Sequence, residues 1–416
     1  MKKAIYIALL AALTPAHMLA QEATPAADVD DVRRNARMHV GVFYFTPTVQ
    51  LKELGWDTNV FNTSGQQKSD FMFTLAPKID LWVPFARRAL VRTTVASDLV
   101  WYAKYETERS VDPQFTVRGE AYLHRLTLFA EDGYLNTRQR PNFEIDLRSR
   151  HLENDLTAGA ELRLTSKFSV EVAARRALTR YQADAFFNGT SLQQTLNRDT
   201  DGFRVVARHR ATPLTTIALR YEDLRDRFPY ADTRDSDSYR LMPGVEFKPR
   251  ALISGTAYVG YRGFNPKNPS ALPEFSGLVS QIGLSYTLLG STTFGVSYRR
   301  DLTYSYEALQ PFFVDDSVGS SVRRALGRRF DVLVSIDRHR YDYRDLLVQM
   351  AAESTPSARV PERIDTTWNY GGSIGYRFGR AGRIGFGVSY YDRKSTTRNF
   401  RAYNGLRSGT TITYGF

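Results

Sequence analysis

Residues 367–393 read TWNYGGSIGYRFGRAGRIGFGVSYYDR and alternate apolar and polar side chains on both sides of the turn Gly379–Gly382. Apolar residues take every second position from Trp368 to Phe378, apart from Gly372, and again from Ile384 to Tyr390. A period of two is typical of a β-strand whose two faces meet different surroundings. The stretch therefore predicts an antiparallel hairpin with one apolar and one polar face.

The same alternation recurs from about residue 38 to the end of the chain. The connections between the predicted strands are short and long in alternation. Turns such as Ser166-Lys167 alternate with long polar links such as 183–199. Outer-membrane barrels distribute their connections in this way. The sequence predicts an all-β, transmembrane, antiparallel up-and-down β-barrel of about 18 strands (range roughly 16–18), with short periplasmic turns and longer extracellular loops. The fifth and sixth strands are predicted at 126–138 and 147–165, although Gly119–Arg150 admits other partitions.

The charged residues favour a membrane barrel over a soluble one. They make up 24% of the chain, the net charge is +12, and the mean hydropathy is −0.38. A narrow dry core cannot hold so many charges without a large desolvation cost, whereas a wide barrel encloses water. The apolar face must then contact lipid, and closure of the barrel pairs the backbone groups that hydrocarbon cannot solvate.

Two classes of protein are excluded by composition. The chain has no cysteine, which excludes a disulfide framework, a thiolate metal site, a cysteine nucleophile and a lipoprotein anchor. No apolar run approaches the ~20 residues that a membrane-spanning helix needs.

Both ends of the chain carry export signals. Residues 1–20 have the charged, apolar and small-residue layout of a cleaved signal peptide, 21–37 read as a flexible periplasmic lead-in, and 38–416 form the predicted barrel. The last strand ends in alternating apolar residues that predict a signal for the outer-membrane assembly machinery: Ile412, Tyr414 and Phe416. The expected location is the outer membrane of a Gram-negative-type bacterium.

The polar faces of the strands predict the residues that line the pore. They are Arg92, Arg118, Arg163, Arg175, Arg204, Arg208, Arg210, Arg220, Arg240, Arg262, Arg299, Arg377, Tyr258, Asp331 and Asp337. Because fewer acids than arginines are assigned to this face, we expect a preference for anionic or acidic solutes. The alternative is that arginines and acids pair across neighbouring strands and merely solvate the wall. Tyrosines on the same face (Tyr102, Tyr258, Tyr341, Tyr343, Tyr391) could stack on sugar rings, although such side chains more often fill space.

The sequence does not predict an enzyme. His339 is near Asp337 and Asp331 on the polar face and could suggest an Asp/His catalytic pair, but a wall ion pair is the commoner arrangement. No phosphate-binding loop, dinucleotide motif or zinc spacing is present, so no cofactor and no metal is expected.

Residues 21–37 are too few for a folded plug domain, which favours a channel. The longest loop, 344–364, is a candidate constriction or lid, although a simple surface loop is the simpler interpretation.

Two stretches resemble a known family. Residues 46–61, TPTVQLKELGWDTNVF, are similar to the opening strand of the putative β-barrel porin 2 family, and 134–150, YLNTRQRPNFEIDLRSR, to its mid-barrel segment. Members look like large single-chain barrels, and several occur with exopolysaccharide export systems. The resemblance has no catalytic residues to carry over, and it implies passage of a secreted polysaccharide across the outer membrane.

We therefore predict a channel for a secreted polysaccharide. The alternative is a general or anion-selective diffusion porin for small solutes, and a barrel enzyme or a structural envelope protein is a more remote reading. The expected partners are outer-membrane lipid and lipopolysaccharide, the assembly machinery, and polysaccharide export proteins with an acidic polysaccharide. No nucleic acid is expected, because the basic residues are spread around the lumen instead of forming one patch.

Overall fold

The computed structural model describes residues 32, 36–85, 88–249, 251–346, 362–379 and 381–415. The predicted signal peptide, almost all of the lead-in, and Phe416 lie outside these residues. A three-residue strand, Met38–Val40, pairs with the first barrel strand near the start of the described chain.

Eighteen long strands form a single closed sheet. In chain order, β1 to β18 are Phe43–Asp57, Asp70–Phe85, Ala89–Tyr102, Ser110–Tyr122, Leu126–Thr137, His151–Arg163, Phe168–Tyr181, Arg198–Arg210, Thr215–Arg227, Ser236–Phe247, Ile253–Pro266, Phe275–Leu288, Thr292–Tyr304, Phe312–Leu326, Phe330–Arg344, Ile364–Phe378, Gly382–Ser395 and Tyr403–Gly415. Each strand pairs antiparallel with the next, and β18 pairs with β1. The predicted all-β antiparallel barrel is confirmed.

The seam between β1 and β18 contains a bulge. The register of β1 shifts at Leu51–Leu54 against β18 and at Lys52–Gly55 against β2, and Glu53 has a left-handed φ of 54°. Gly55 lies so close to the backbone of Ser408 that a Cβ at this position would collide with the Ser408 carbonyl. Glycine is therefore required where the two strands come closest.

The connections differ between the two ends of the barrel. Turns of a few residues, such as 164–167 and 327–329, join strands at one end, which we call the short-turn end. Longer connections, such as 58–69, 138–150, 182–197 and 345–363, join them at the other, the long-loop end. The loop 182–197 contains a small hairpin (Phe186–Phe187 with Thr190–Ser191) and a one-turn helix, Leu192–Leu196. No helix in the described residues has the length and apolar character needed to cross a membrane.

The two faces of the sheet differ as the alternation predicts. Large apolar side chains stand exposed on the outside, including Leu278 (65%), Val334 (57%) and Phe386 (50%). Charged side chains are buried on the inside, including Glu171 (3%) and Arg262 (3%). An apolar outer surface of this extent is unfavourable in water but favourable in lipid, whose acyl chains are equally apolar.

The structure corrects one strand boundary. Residues 147–150, predicted as the start of the sixth strand, belong to a connection, and β6 begins at His151. Arg148 and Arg150 are two positions apart, which extends the period-two pattern typical of a strand into this connection. Because β5 ends at Thr137, opposite His151, no strand is available to pair with the residues before it.

We predict that Val334→Arg lowers the free energy of unfolding by about 2–4 kcal/mol, because it places a charge on the lipid face of β15. Ser335→Arg is the matched control: it changes the next residue, whose side chain faces the lumen, and should cost much less. Urea titration of the barrel refolded in lipid vesicles measures both. Equal losses for the two variants would contradict the assignment of faces.

Candidate functional site: the barrel lumen and the segment that crosses it

Ion pairs between side chains of different strands cover much of the inner wall. Glu171 of β7 accepts hydrogen bonds from Arg204 and Arg208 of β8, both at 2.8 Å. Asp301 of β13 pairs with Arg262 of β11 at 2.7 Å and with Arg240 of β10 at 2.8 Å. Charge-assisted hydrogen bonds of this kind compensate part of the desolvation that each buried charge suffers.

The strand register places all of the predicted pore residues on the inner face, where most of the arginines contact a carboxylate. Their partners in the described residues are Glu120 for Arg92 and Arg118, Asp155 for Arg175, Glu222 for Arg240 and Asp331 for Arg377. Arg163 donates to the His124 carbonyl oxygen, and the guanidinium of Arg220 lies 3.8 Å from the centre of the Tyr258 ring. Whether these residues select solutes stays a prediction.

The inner face carries more acid than the sequence predicted. Further carboxylates on this face are Asp57, Asp70, Asp112, Glu131, Glu153, Asp155, Asp226, Asp301, Asp315 and Asp365. Several were missed because they lie next to strand ends, where alternation is hard to follow. A general excess of arginine around the wall therefore cannot support anion preference, and any preference must come from a local excess of positive charge.

The tyrosines expected to offer stacking surfaces are buried. Tyr102, Tyr258, Tyr341, Tyr343 and Tyr391 are at most 9% exposed. Arg363 covers Tyr343 at 3.8 Å, as Arg220 covers Tyr258. Because cations and neighbouring side chains cover their faces, these rings form part of the wall and do not present a surface to a sugar.

One part of the inner wall has almost no side-chain bulk. The register aligns small residues in one row across six consecutive strands, β12 to β17: Ser285, Gly295, Ser321, Ser335, Gly371 and Ser389. A Cβ added to Gly295 or Gly371 would lie 2.6 Å from the hydroxyl of the neighbouring serine. The wall therefore projects little into the lumen along this row, which we call the small-residue wall.

An arginine cluster lies on the same side of the barrel, near the short-turn end. Asp331 of β15 accepts two hydrogen bonds from Arg383 of β17, at 2.6 and 3.1 Å, and Arg377 of β16 approaches it at 3.4 Å. Arg323 of β14 lies opposite Leu333, two residues from Asp331 on the same face. Two guanidinium groups thus contact one carboxylate and a third lies nearby, which leaves a local excess of positive charge.

Residues 138–150, the connection between β5 and β6, fold into the barrel; we call them the inward segment. Both of its ends are hydrogen-bonded to the part of the barrel next to β5. Arg138 donates to the Thr107 carbonyl oxygen, and Arg148 donates to the Glu108 carbonyl oxygen at 3.3 Å and to Ser110 Oγ at 3.1 Å. These partners belong to the loop after β3 and to the start of β4.

The middle of the inward segment reaches the far wall. The backbone N–H of Phe143 donates to the hydroxyl of Tyr341 on β15, halfway round the barrel from β5 and β6, at 3.3 Å. Asp146 accepts from Arg393 of β17 at 2.9 Å and from Tyr403 of β18 at 2.7 Å. The segment therefore crosses the lumen and narrows it.

An apolar core at the long-loop end holds the segment from above. It joins Ile145 of the inward segment to residues from several strands and loops: Tyr181, Ala185, Leu192, Leu196, Phe228, Phe264, Leu272, Leu302, Tyr304, Tyr306 and Phe312. We call this set the loop core. Loops that form a core of their own are not independent surface loops, so the long-loop end is a packed cap.

Glu144 is the buried acid of this cap. Its side chain has no exposed surface, Oε1 accepts from Ser305 Oγ at 2.6 Å, and Oε2 has no hydrogen-bond partner among the described residues. Arg401 donates to its backbone carbonyl oxygen. Burial raises the pKa of Glu144 to about 7, although the Ser305 hydrogen bond and the charges of Arg363 and Arg401 act in the opposite direction.

Sequence reasoning missed the inward segment. It assigned a possible constriction to 344–364, of which 347–361 lie outside the described residues. The only signal was the concentration of Arg and acid in 138–150 without a partner strand. A cavity of about 310 Å³ adjoins the segment and is lined by Arg140, Arg148, Phe61, Phe187 and other loop residues.

The acid in contact with His339 is Asp315, not Asp331 or Asp337, which the sequence suggested. His339 Nδ1 lies 3.5 Å from Asp315, and its ring packs against Phe143 of the inward segment at 4.8 Å. Within the described part of the chain, no three His, Asp or Glu side chains are grouped so that they could hold a metal ion.

Comparisons with known proteins agree with the geometry. The sequence profile of the family described as putative beta-barrel porin 2 matches residues 36–410, which confirms the resemblance predicted from the sequence. No protein of curated function matches the chain.

Among solved structures, a BenF-like porin from Pseudomonas fluorescens Pf-5 is 11% identical, with a TM-score of 0.50 over 90% of this chain and 98% of that one. OpdK from Pseudomonas aeruginosa is 9% identical (TM-score 0.46, 89% and 98%), and OccAB3 from Acinetobacter baumannii is 10% identical (0.46, 89% and 99%). These are likenesses of fold, and the family and fold are those of channels rather than of enzymes.

We predict that the cap opens as the pH rises. The closed cap binds the Glu144 proton more tightly than a hydrated Glu144 would, so closure is favoured in acid and weakens between pH 4.5, the ordinary pKa, and about 7. Currents through single barrels in planar bilayers should show more time in the wide state at pH 8 than at pH 5. Glu144→Gln should stay closed at both pH values, whereas Glu106→Gln, on an exposed loop, should behave like the wild type. A pH response that survives in Glu144→Gln would contradict this role.

Proposed function

We propose that this chain, which belongs to the putative beta-barrel porin 2 family, is a passive outer-membrane channel for small hydrophilic solutes with a preference for anions. The observation that carries the proposal is the inward segment, which is tied to both sides of the lumen and narrows it. The small-residue wall lies on the short-turn side of the Tyr341 contact and is the route that we propose for solutes. In the outer membrane the long loops face the exterior and the short turns face the periplasm.

The dimensions favour small solutes. The loop core and the inward segment occupy the outer part of the lumen, so less of its cross-section remains for a solute. Serine and glycine along the small-residue wall offer hydroxyl and backbone groups to a hydrated solute without binding it strongly. Conduction needs such weak contacts, because a solute that binds tightly does not leave.

The preference for anions comes from the arginine cluster. Arg323, Arg377 and Arg383 surround only Asp331, at the end of the solute route. A local excess of positive charge on the wall of a pore raises the concentration of anions there and repels cations.

Passage of a secreted polysaccharide stays a prediction and takes second place. The family resemblance supports it, but a polymer would need the inward segment to leave the lumen, and each of its ends and its centre is hydrogen-bonded to the wall. Cleavage of a signal peptide, assembly through Ile412, Tyr414 and Phe416, and contact with lipopolysaccharide also stay predictions.

Solute entry into vesicles separates the two functions. Vesicles containing the mature chain should swell in monosaccharide and small organic acids, and swelling should fall steeply with oligosaccharide length. In a KCl gradient, the reversal potential should give a higher permeability for chloride than for potassium. Cation preference would overturn the anion assignment, and rapid entry of long oligosaccharides would favour polymer export.

We predict that Asp146→Asn widens the channel, because it weakens the charged contacts to Arg393 and Arg401 and so loosens the centre of the inward segment. Losing one charge-assisted hydrogen bond should reduce the closed-to-open ratio about tenfold. Single-channel recording measures the occupancy of the wide state. Asp155→Asn is the matched control, because Asp155 pairs with Arg175 on the wall and not with the segment. Unchanged currents in Asp146→Asn would show that these contacts do not hold the segment.

A further inference from the structure

The arginine cluster has the features of a binding site in addition to its effect on selectivity. Its charges are unevenly satisfied. Arg383 uses two nitrogens on Asp331, Arg377 Nε lies 3.4 Å from the same carboxylate, and the side chain of Arg323 makes no hydrogen bond or ion pair with any described residue. The cluster therefore keeps guanidinium donors that no group in the described part of the chain uses.

The base of the cluster is built by glycines. Asp331, Gly375 and Gly385 lie side by side across β15, β16 and β17. Arg383 reaches across Gly375 to Asp331, and a Cβ on Gly375 would collide with its guanidinium group. A Cβ on Gly385 would come within 2.8 Å of Arg383 Nη1. Two glycines thus let Arg383 lie flat against the wall.

The arginine side chains of the cluster are more exposed to the lumen than the carboxylate they surround. The side chain of Asp331 is 5% exposed, that of Arg383 is 21% exposed and that of Arg377 is 42% exposed. The carboxylate is covered by its partners, so an ion in the lumen meets the guanidinium groups first. An anion approaching the cluster is attracted without facing an uncovered negative charge.

We propose that Arg323, Arg377 and Arg383 form a binding site for a small multivalent oxyanion, such as phosphate, on the inner wall near the periplasmic end. The three arginines and Asp331 carry a net charge of about +2, which matches a doubly charged ion, and planar guanidinium groups suit ions with several acceptor oxygens. The site deepens the proposed function, because it gives the channel a selective step at the end of the solute route.

Binding is measured on the full mature chain in two ways. Titration calorimetry in detergent gives the affinity for inorganic phosphate without requiring transport. In planar bilayers, phosphate added on the short-turn side should interrupt the chloride current in a concentration-dependent way. If the barrel carries no current but still binds phosphate, the channel proposal fails and the site stands. If it conducts but neither binds phosphate nor is blocked by it, the site fails and the channel stands.

Three variants test the residues. Arg323→Gln and Arg377→Gln each remove an accessible donor and should weaken phosphate binding about tenfold, the usual effect of losing one charged hydrogen bond. Arg324→Gln is the control, because it removes the same charge from the next residue of β14, which faces outward, and should leave the affinity unchanged. Equal effects of Arg323→Gln and Arg324→Gln would overturn the site.

Gly375→Ala separates geometry from net charge. It keeps all three arginines but displaces Arg383 from Asp331, so it should weaken phosphate binding while the net charge is unchanged. Wild-type affinity in Gly375→Ala would remove Arg383 from the site. Circular dichroism and heat-modifiable migration in gels check that each variant is a folded barrel, and a folded Arg377→Gln with wild-type affinity would overturn the proposal on its own.

Discussion

Every backbone N–H and C=O group in the hydrocarbon layer must find a partner within the protein, and this constraint shapes the whole molecule. It requires the sheet to close, which the pairing of β18 with β1 achieves. The bulge at Glu53 and the glycine at position 55 adjust the seam where the two strands come closest. Once the sheet is closed, each strand has a lipid face and a lumen face, and the sequence must alternate to satisfy both.

Charged side chains on the lumen face are partly desolvated, and ion pairs offset part of this cost. A buried guanidinium or carboxylate without a partner is costly, and pairing across neighbouring strands reduces that cost. Around Glu171 and Asp301 the wall is close to neutral and crowded. In the small-residue wall, the row that runs across β12 to β17, serine and glycine need no charged partner. This row forms one side of the route that we propose for solutes, and near its short-turn end Arg377 and Arg383 both pair with Asp331, which leaves a local excess of positive charge.

The sequence predicts the strands well because their pattern is local. Each residue of β16 and β17 can be assigned to a face from its neighbours two positions away, and the structure agrees. The inward segment could not be predicted, because its hydrogen-bond partners are far away in the sequence. Phe143 is hydrogen-bonded to Tyr341, and Asp146 is hydrogen-bonded to Arg393 and Tyr403. No periodicity reports such contacts. Length alone pointed to 344–364, and length does not say which loop folds inward.

The inward segment is balanced between two neighbouring acids with opposite effects. Asp146 has Arg393, Arg401 and Tyr403 around it, so its charge is compensated and favours the closed position. Glu144, two residues earlier, is fully buried with one oxygen unpartnered among the described residues, so its charged form opposes the same position. A segment held by both is stable in place when Glu144 is neutral and less stable when it is ionised. The cap therefore need not be rigid to narrow the channel, since a single proton can change the balance between contacts already formed.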